Sequence, residues 1–299
     1  MCKKLIYLTS FILLLGLAGN AVAQIDPATV TTGHAYLLDD VNDVDGTVPD
    51  DSANDNTGII VGDPNVVDGL AGKALQFDGV DDGVDIPDSQ FINVTGGPFP
   101  NRTVMAAFNC ADVNKPEKQT VFEEGGLTRG LTIYVHEGLV YVGGWNKAEY
   151  QWNPGSWISA PINSNQWYTV SLVIRDGADA QEDDKFEMWM DGELIGKAPG
   201  GQIYNHGNDN AIGYTKQNNV FHDGDGSDDG WFFEGIIDEV WILNAVDSAT
   251  GPNPADGAID VDTLTLEWTQ GYTAVSNLVY LSTDETIDES DFLAEGQLA

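Results

Sequence analysis

Positive charge is scarce in this chain. Its 299 residues hold 12 Lys and Arg against 48 Asp and Glu, a formal net charge of −36. Phosphates would be repelled by such a surface, which excludes a nucleic-acid binder and an anionic-membrane binder. Cysteine is nearly missing, with only Cys2 and Cys110. Histidine is sparse too: His34, His136, His206 and His222 lie far apart, with no H-x-x-x-H pair for zinc. There is no G-x-S-x-G nucleophile turn and no phosphate-cradling glycine loop. No helical period longer than two turns is present. Glu, the better helix former, is outnumbered by Asp, 14 to 34. The composition therefore points to strands and loops, and 42% hydrophobic residues exclude a disordered acidic tail.

What is there begins with a leader. Lys3 and Lys4 precede the apolar run Leu5–Ala18, and Ala21-Val22-Ala23 fits the A-x-A cleavage rule. The run is shorter than the ~20 residues of a membrane span. Residues 1–23 thus read as a signal peptide, with a mature chain from Gln24, secreted or held at the cell surface. Cleavage removes two lysines and no acid, giving −38. Cys2 leaves with the leader, and a lone Cys110 forms no intrachain disulfide. Stability must come from a large core or from bound ions. Cys110 ends the apolar run Val104–Phe108 and reads as a buried structural thiol.

Short strand candidates follow at regular intervals: Ala74–Phe77, Gly83–Ile86, Thr103–Phe108, Thr120–Phe122, Leu131–His136, Leu139–Val142, Trp167–Ile174, Phe186–Met190 and Gly235–Leu243. Each is bounded by Gly, Asn, Asp or Pro. Asp191-Gly192 is a two-residue hairpin signal. Residues 39–69 are dense in Asp and turn residues and read as loop with little strand. In Trp167–Ile174 one face carries Tyr168, Val170, Leu172 and Ile174; the other, with Thr169 and Ser171, reads as half wet. The expectation is an all-β, two-sheet antiparallel jelly-roll sandwich over residues 30–248. Gly251-Pro252-Asn253-Pro254-Ala255-Asp256-Gly257 reads as a linker, and 252–299 as a truncated immunoglobulin-like β segment of a longer protein.

Three segments carry a resemblance: Asp50-Asp51-Ser52-Ala53-Asn54-Asp55-Asn56-Thr57-Gly58, Gly69–Val84 with its Gly72-Lys73-Ala74-Leu75-Gln76-Phe77-Asp78-Gly79 core, and Phe233-Glu234-Gly235-Ile236-Ile237-Asp238-Glu239-Val240-Trp241-Ile242. Together they resemble the laminin-G-like, concanavalin-A-like lectin/glucanase superfamily. That resemblance implies a jelly roll and binding of glycans or proteins, in some members with calcium; some relatives are hydrolases. Gly83 stands where an aromatic is usual, and Trp241 where Arg is frequent. The tail, from Asn253-Pro254-Ala255-Asp256-Gly257-Ala258 onward, resembles immunoglobulin-like repeats of secreted multidomain bacterial proteins.

Asp238 and Glu239 alternate on a strand, so one of them faces apolar neighbours. A buried carboxylate needs a partner. With so few cations in the chain, Ca²⁺ is the candidate partner, held by hard oxygens from Asp39, Asp40, Asp51, Asn56 and Asp238; backbone N–H groups or an Arg are the alternative. Asp225-Gly226-Ser227-Asp228-Asp229-Gly230 resembles the opening of an EF-hand loop but lacks Glu at its twelfth position, Ile236.

For glycan, Trp145, Asn146, Tyr150, Gln151, Trp152, Asn153 and Trp157 lie close together in Gly/Pro-broken sequence. Rings there suit sugar C–H groups and amides suit hydroxyls; the alternative is that the rings pack on the sandwich. Asn93 and Asn101 head glycosylation sequons. Paired acids at retaining-glucanase spacing are not found: Glu187, Trp189 and Asp191 share a face, but Asp191 belongs to a turn. The expected function is a secreted non-catalytic module that binds carbohydrate and is stabilised by Ca²⁺. The alternatives are an adhesive module binding an extracellular protein, and an accessory region of a polysaccharide hydrolase or lyase.

Overall fold

The strand Glu234–Leu243 organises the molecule. In the computed structural model, Arg102–Cys110 pairs along one side of it. Lys73–Asp78 takes the first half of its other side, and Gly33–Tyr36 the second half. The change of partner falls at Asp238 and Glu239. There Glu239 adopts φ 51° and the register against Arg102–Cys110 shifts, a bulge that interrupts the two-residue alternation of side chains.

The structure describes residues 26–41, 45–147, 152–207, 210–227 and 229–245, together with the backbone segments 5–12, 250–253, 267–269, 274–282 and 292–297. It divides into two units. The larger comprises Asp26–Met190 and Leu194–Val246. It is an antiparallel sandwich, as the strand pattern predicts. One sheet runs Trp152–Pro161, Leu139–Asn146, Arg129–His136, Gln119–Gly125, Asn210–Ile212, Gly83–Ile86, Gly58–Val61, Thr47–Val48. The other runs Glu193–Gly200, Glu182–Met190, Trp167–Ile174, Arg102–Cys110, Glu234–Leu243, Lys73–Asp78, Asn65–Asp68, with Gly33–Tyr36 also on Glu234–Leu243. Between the sheets lie Phe77, Phe108, Phe122, Ile133, Val142, Leu172, Phe186 and Ile237, all closed to water. Asp191 and Gly192 have φ 50° and 83°, the two positive values that a type I′ hairpin turn requires.

In the second unit Leu5–Ile12, part of the apolar run Leu5–Ala18, pairs with Ala274–Ser282, which also pairs with Phe292–Gln297. Thr250–Asn253 pairs with Glu267–Thr269. Among the described residues no helix is long and apolar enough to cross a membrane.

Three expectations need correction. Residues 39–69 contain Thr47–Val48, Gly58–Val61 and Asn65–Asp68, short outer strands of the two sheets. The second face of Trp167–Ile174 is also buried, because Ser171 sits between Met105 and Trp189 on the flanking strands, whose larger side chains cover it. Finally, the Gly/Pro-broken aromatic segment includes a ten-residue edge strand, Trp152–Pro161. An edge tolerates Pro154, since one side of the strand needs no ladder donors.

Candidate functional site

The loop Gly69-Leu70-Ala71-Gly72 enters where Glu234–Leu243 changes partner. Asp238 Oδ2 accepts hydrogen bonds from the backbone N–H of Leu70 (2.8 Å) and Ala71 (3.1 Å). Asp39 Oδ1 accepts one from Lys73 N–H (2.5 Å). Two carboxylates thus grip this loop, and its glycines are required by them. A Cβ on Gly69 would overlap Asp238 Oδ2, and one on Gly72, which has φ 57°, would overlap Asp39 Oδ1.

Asp238 and Glu239 are both enclosed, at 0% and 1% exposure. Burial pushes Asp238 up to about 7, and Asp39 adds to the rise against the backbone bonds that lower it. Burial pushes Glu239 up to about 7 as well, opposed by the Trp241 N–H (3.0 Å) and reinforced by Asp238, Asp39 and Asp51. Asp51 is raised by burial and then by Asp40, Asp50 and Asp39, although Leu37 N–H bonds it at 3.1 Å. Asp39, Asp40, Asp51 and Asp238 therefore form one electrostatic neighbourhood, and Glu239 joins it. Alternation had set Glu239 on the opposite face; the bulge cancels that inference. Asp238 Oδ1 is buried without a partner. Hard oxygens, like charges in mutual repulsion and an orphaned carboxylate oxygen fit a divalent cation such as Ca²⁺. Asn56 does not belong to this neighbourhood by its bonds: its side-chain Nδ2 donates to Pro87 O (3.0 Å) and its backbone carbonyl accepts from Tyr36 Oη (2.7 Å).

A second acidic group, Asp63, Asp81 and Asp82, has candidate ligand oxygens within 4.8 Å of one another. Its buried member is spent on the turn, since Asp82 accepts from Asp63 N–H (2.8 Å) and Asp78 N–H (2.9 Å). The EF-hand-like stretch is no loop at its start: Gly224–Ser227 is a strand paired with Asn218–Phe221.

The aromatic residues proposed for glycan do not make one platform. Trp152 points into the core at 0% exposure, over Gly144, and meets Phe186 edge-on. Trp145 is equally buried; it covers Gly130 and its Nε1 donates to Gly126 O (2.8 Å). Trp157, half-buried, lies against Gly143. Each ring fills the gap left by a glycine on a neighbouring strand, the packing alternative. Asn146 is buried, accepting from Arg129 Nε (3.1 Å). Asn153 is exposed, with a 3.3 Å bond to Lys147 O. Tyr150 and Gln151 lie outside the described residues. Of the sequon asparagines, Asn93 is buried and bonded to Asp88 (2.6 Å), which closes it to a glycan.

An open aromatic surface lies elsewhere. Trp231 and Phe232, both half-buried, line a groove of about 310 Å³ with Gly79, Lys115, Glu117, Lys118 and Gln119. Phe232 is fixed by stacking on Tyr214 (5.3 Å, 3°), and Trp231 packs on Phe221 (5.5 Å). Lys115 pairs with Glu234 (2.5 Å) and Lys118 with Asp223 (3.0 Å). Trp231-Phe232 is an aromatic pair after a run of Asp and Gly, a loop signal of the same kind as the one read at Trp145–Trp157.

Two further arrangements are structural. Ser89 Oγ, His34 and Asp50 bond in series (2.8 and 2.7 Å), the order of a nucleophile triad. His34 is only 1% exposed and packs against Phe91, while Ser89 Oγ also accepts from Phe91 N–H (3.1 Å). The series staples the loops of Asp50 and Ser89 to the strand Gly33–Tyr36 and gives a substrate no access to the ring. Glu187 is buried against Arg175 (3.1 Å) and Lys197 (3.0 Å), which hold it below the usual range despite burial; a carboxylate so held is no general acid.

No family model matches the sequence, and no curated protein matches it. The laminin-G-like resemblance therefore rests on its motifs. Solved structures do share the fold. The binding domain of Paraclostridial Mosquitocidal Protein 1 matches 72% of this chain and 49% of its own, at 13% identity and TM-score 0.51. The Botulinum Neurotoxin serotype G binding domain matches 72% and 48%, at 10% identity and TM-score 0.51. The binding domain of Botulinum neurotoxin DC, solved in complex with rat synaptotagmin II, matches 71% and 48%, at 11% identity and TM-score 0.50. The chain spans about half the length of these structures, and at such identity the likeness is one of fold alone.

Proposed function

We propose that this chain is a secreted, non-catalytic module that binds carbohydrate through the Trp231–Phe232 groove. The observation that carries the reading is the groove itself: two anchored rings open to solvent, beside Lys115, Glu117 and Lys118 that can bond hydroxyls. Flat apolar faces with a few polar groups are what a sugar needs. The leader-like residues 1–23 support secretion, and the tail supports a place in a larger extracellular protein. Laminin-G-like membership is part of the same proposal. A Ca²⁺ ion at Asp39, Asp40, Asp51, Asp238 and Glu239 would act on stability, holding the Gly69–Gly72 loop against Glu234–Leu243. The orphaned Asp238 Oδ1 supports it.

The test is a glycan array with the full chain, followed by calorimetry on any hit with wild type and Trp231→Ala. Binding that the substitution weakens by roughly tenfold or more supports the groove. Binding untouched by it, or an array with no signal, defeats the reading. A protein ligand is the second reading, favoured by the similar domain solved with synaptotagmin II; it would show as array silence with capture of a purified extracellular receptor domain.

A further inference from the structure

Sequence spacing separates the histidines, but the fold brings two of them together. His136 ends the strand Arg129–His136, and His222 begins the turn after Asn218–Phe221. Their ring centres are 5.8 Å apart. A metal–imidazole bond of about 2.0–2.1 Å puts two rings that share one ion roughly 5–6 Å apart, centre to centre. We propose that His136 and His222 form a binding site for a borderline divalent transition metal, Zn²⁺, Cu²⁺ or Ni²⁺.

The tautomers suit this. His136 Nε2 donates to Pro116 O (3.1 Å), so Nδ1 carries the lone pair. That nitrogen is buried and has no partner. A ligating histidine characteristically donates its other N–H to a carbonyl, which sets ring orientation. His222 is exposed and engages Tyr134 Oη through Nδ1 (2.7 Å), leaving Nε2 as its second nitrogen. When Nδ1 donates to Tyr134 Oη, Nε2 holds a lone pair for the ion. Tyr141 stacks on the His222 ring (4.4 Å, 8°), and Tyr134 stacks on both, which fixes the imidazole before any ion arrives.

The surroundings are mixed in charge. Glu137 and Asp223 flank the pair and attract a cation; Lys118 opposes one but is itself paired with Asp223. Nitrogen donors separate this site from the carboxylate neighbourhood at Asp238. Imidazole suits Zn, Cu and Ni, whereas carboxylates and carbonyls suit Ca. Water would complete the coordination.

The experiment titrates Zn²⁺ into the full chain in a large excess of Ca²⁺, which saturates carboxylate sites. One Zn²⁺ per chain is expected, with His222→Ala weakening it by roughly tenfold or more and His206→Ala leaving it unchanged. His222 is exposed, so its variant should keep the wild-type melting point; His136→Ala serves as the second test if its melting point also holds. With saturating Cu²⁺, the electron paramagnetic resonance spectrum should show hyperfine coupling to two imidazole nitrogens, which His222→Ala reduces to one. Absence of Zn²⁺ binding under excess Ca²⁺, equal binding by His222→Ala, or an oxygen-only Cu²⁺ spectrum overturns the proposal.

Discussion

Asp238 and Glu239 are consecutive residues of one strand, yet both carboxylates are enclosed and both are repelled by Asp39. Ordinary pleating would have sent one of them to the opposite face. The positive φ of Glu239 and the partner change at this point keep them in one acidic neighbourhood.

This pair sets a pH dependence. Burial holds both near 7, while in an unfolded chain they ionise at about 4. Between those values the folded state binds more protons, so stability falls as pH rises from about 4 to 7 and then levels. Thermal unfolding in EDTA should show a midpoint lower at pH 8 than at pH 5. Ca²⁺ should restore it at pH 8 and do little at pH 5. A midpoint indifferent to Ca²⁺ at both values would remove the ion from the account.

The loop that meets these acids tolerates no side chain at Gly72, where a Cβ would overlap Asp39 Oδ1 and φ is 57°. Gly72→Ala should cost about 1–3 kcal/mol in urea unfolding. It should also abolish any Ca²⁺-dependent rise in melting point.

Trp152 and Trp231 should behave oppositely. Trp152→Ala empties a core site beside Phe186 and should destabilise by about 3–5 kcal/mol. Trp231→Ala, on the open groove, should leave the melting point nearly unchanged while weakening glycan binding. Equal melting points for the two variants would contradict the assignment of core and surface rings.

Asp50 works in the other direction from Asp238. Burial raises it, but His34, the N–H groups of Ala35 and Asn56, and Ser52 together lower it to about 2. Its contribution is present above about pH 4 and lost as pH falls toward 2. Acid unfolding of the wild type should steepen below pH 4, and Asp50→Asn should flatten that limb; an unchanged acid limb would count against the His34–Asp50 staple.

Cys110 is buried, its thiol pushed up to about 11 chiefly by desolvation. It should resist a thiol-specific reagent at pH 8 in the native state and react fully in denaturant. Rapid native labelling would contradict its place in the core.

Some of this was legible in the chain alone. Period-two runs such as Trp167–Ile174 and Arg129–His136, punctuated by Gly and Asp, determined strands and hence a sandwich, because only pairing of sheets hides so many alternating apolar faces. Asp191-Gly192 determined its own turn, because left-handed backbone at two successive residues needs such a pair. The excess of acid over base determined that lysine and arginine could not serve every buried carboxylate: Glu187 has Arg175 and Lys197, whereas Asp238 is met by the backbone N–H groups of Leu70 and Ala71. Tertiary structure decided what depends on neighbours distant in sequence. Whether a tryptophan is a sugar platform or a core side chain was settled by glycines on adjacent strands, such as Gly144 beneath Trp152. Glu239 joined the Asp238 neighbourhood through a bulge, which periodicity cannot foresee. His136 and His222 met because the turn after Asn218–Phe221 folds over the outer face of Arg129–His136, and only the packed chain brings those rings within reach of one another.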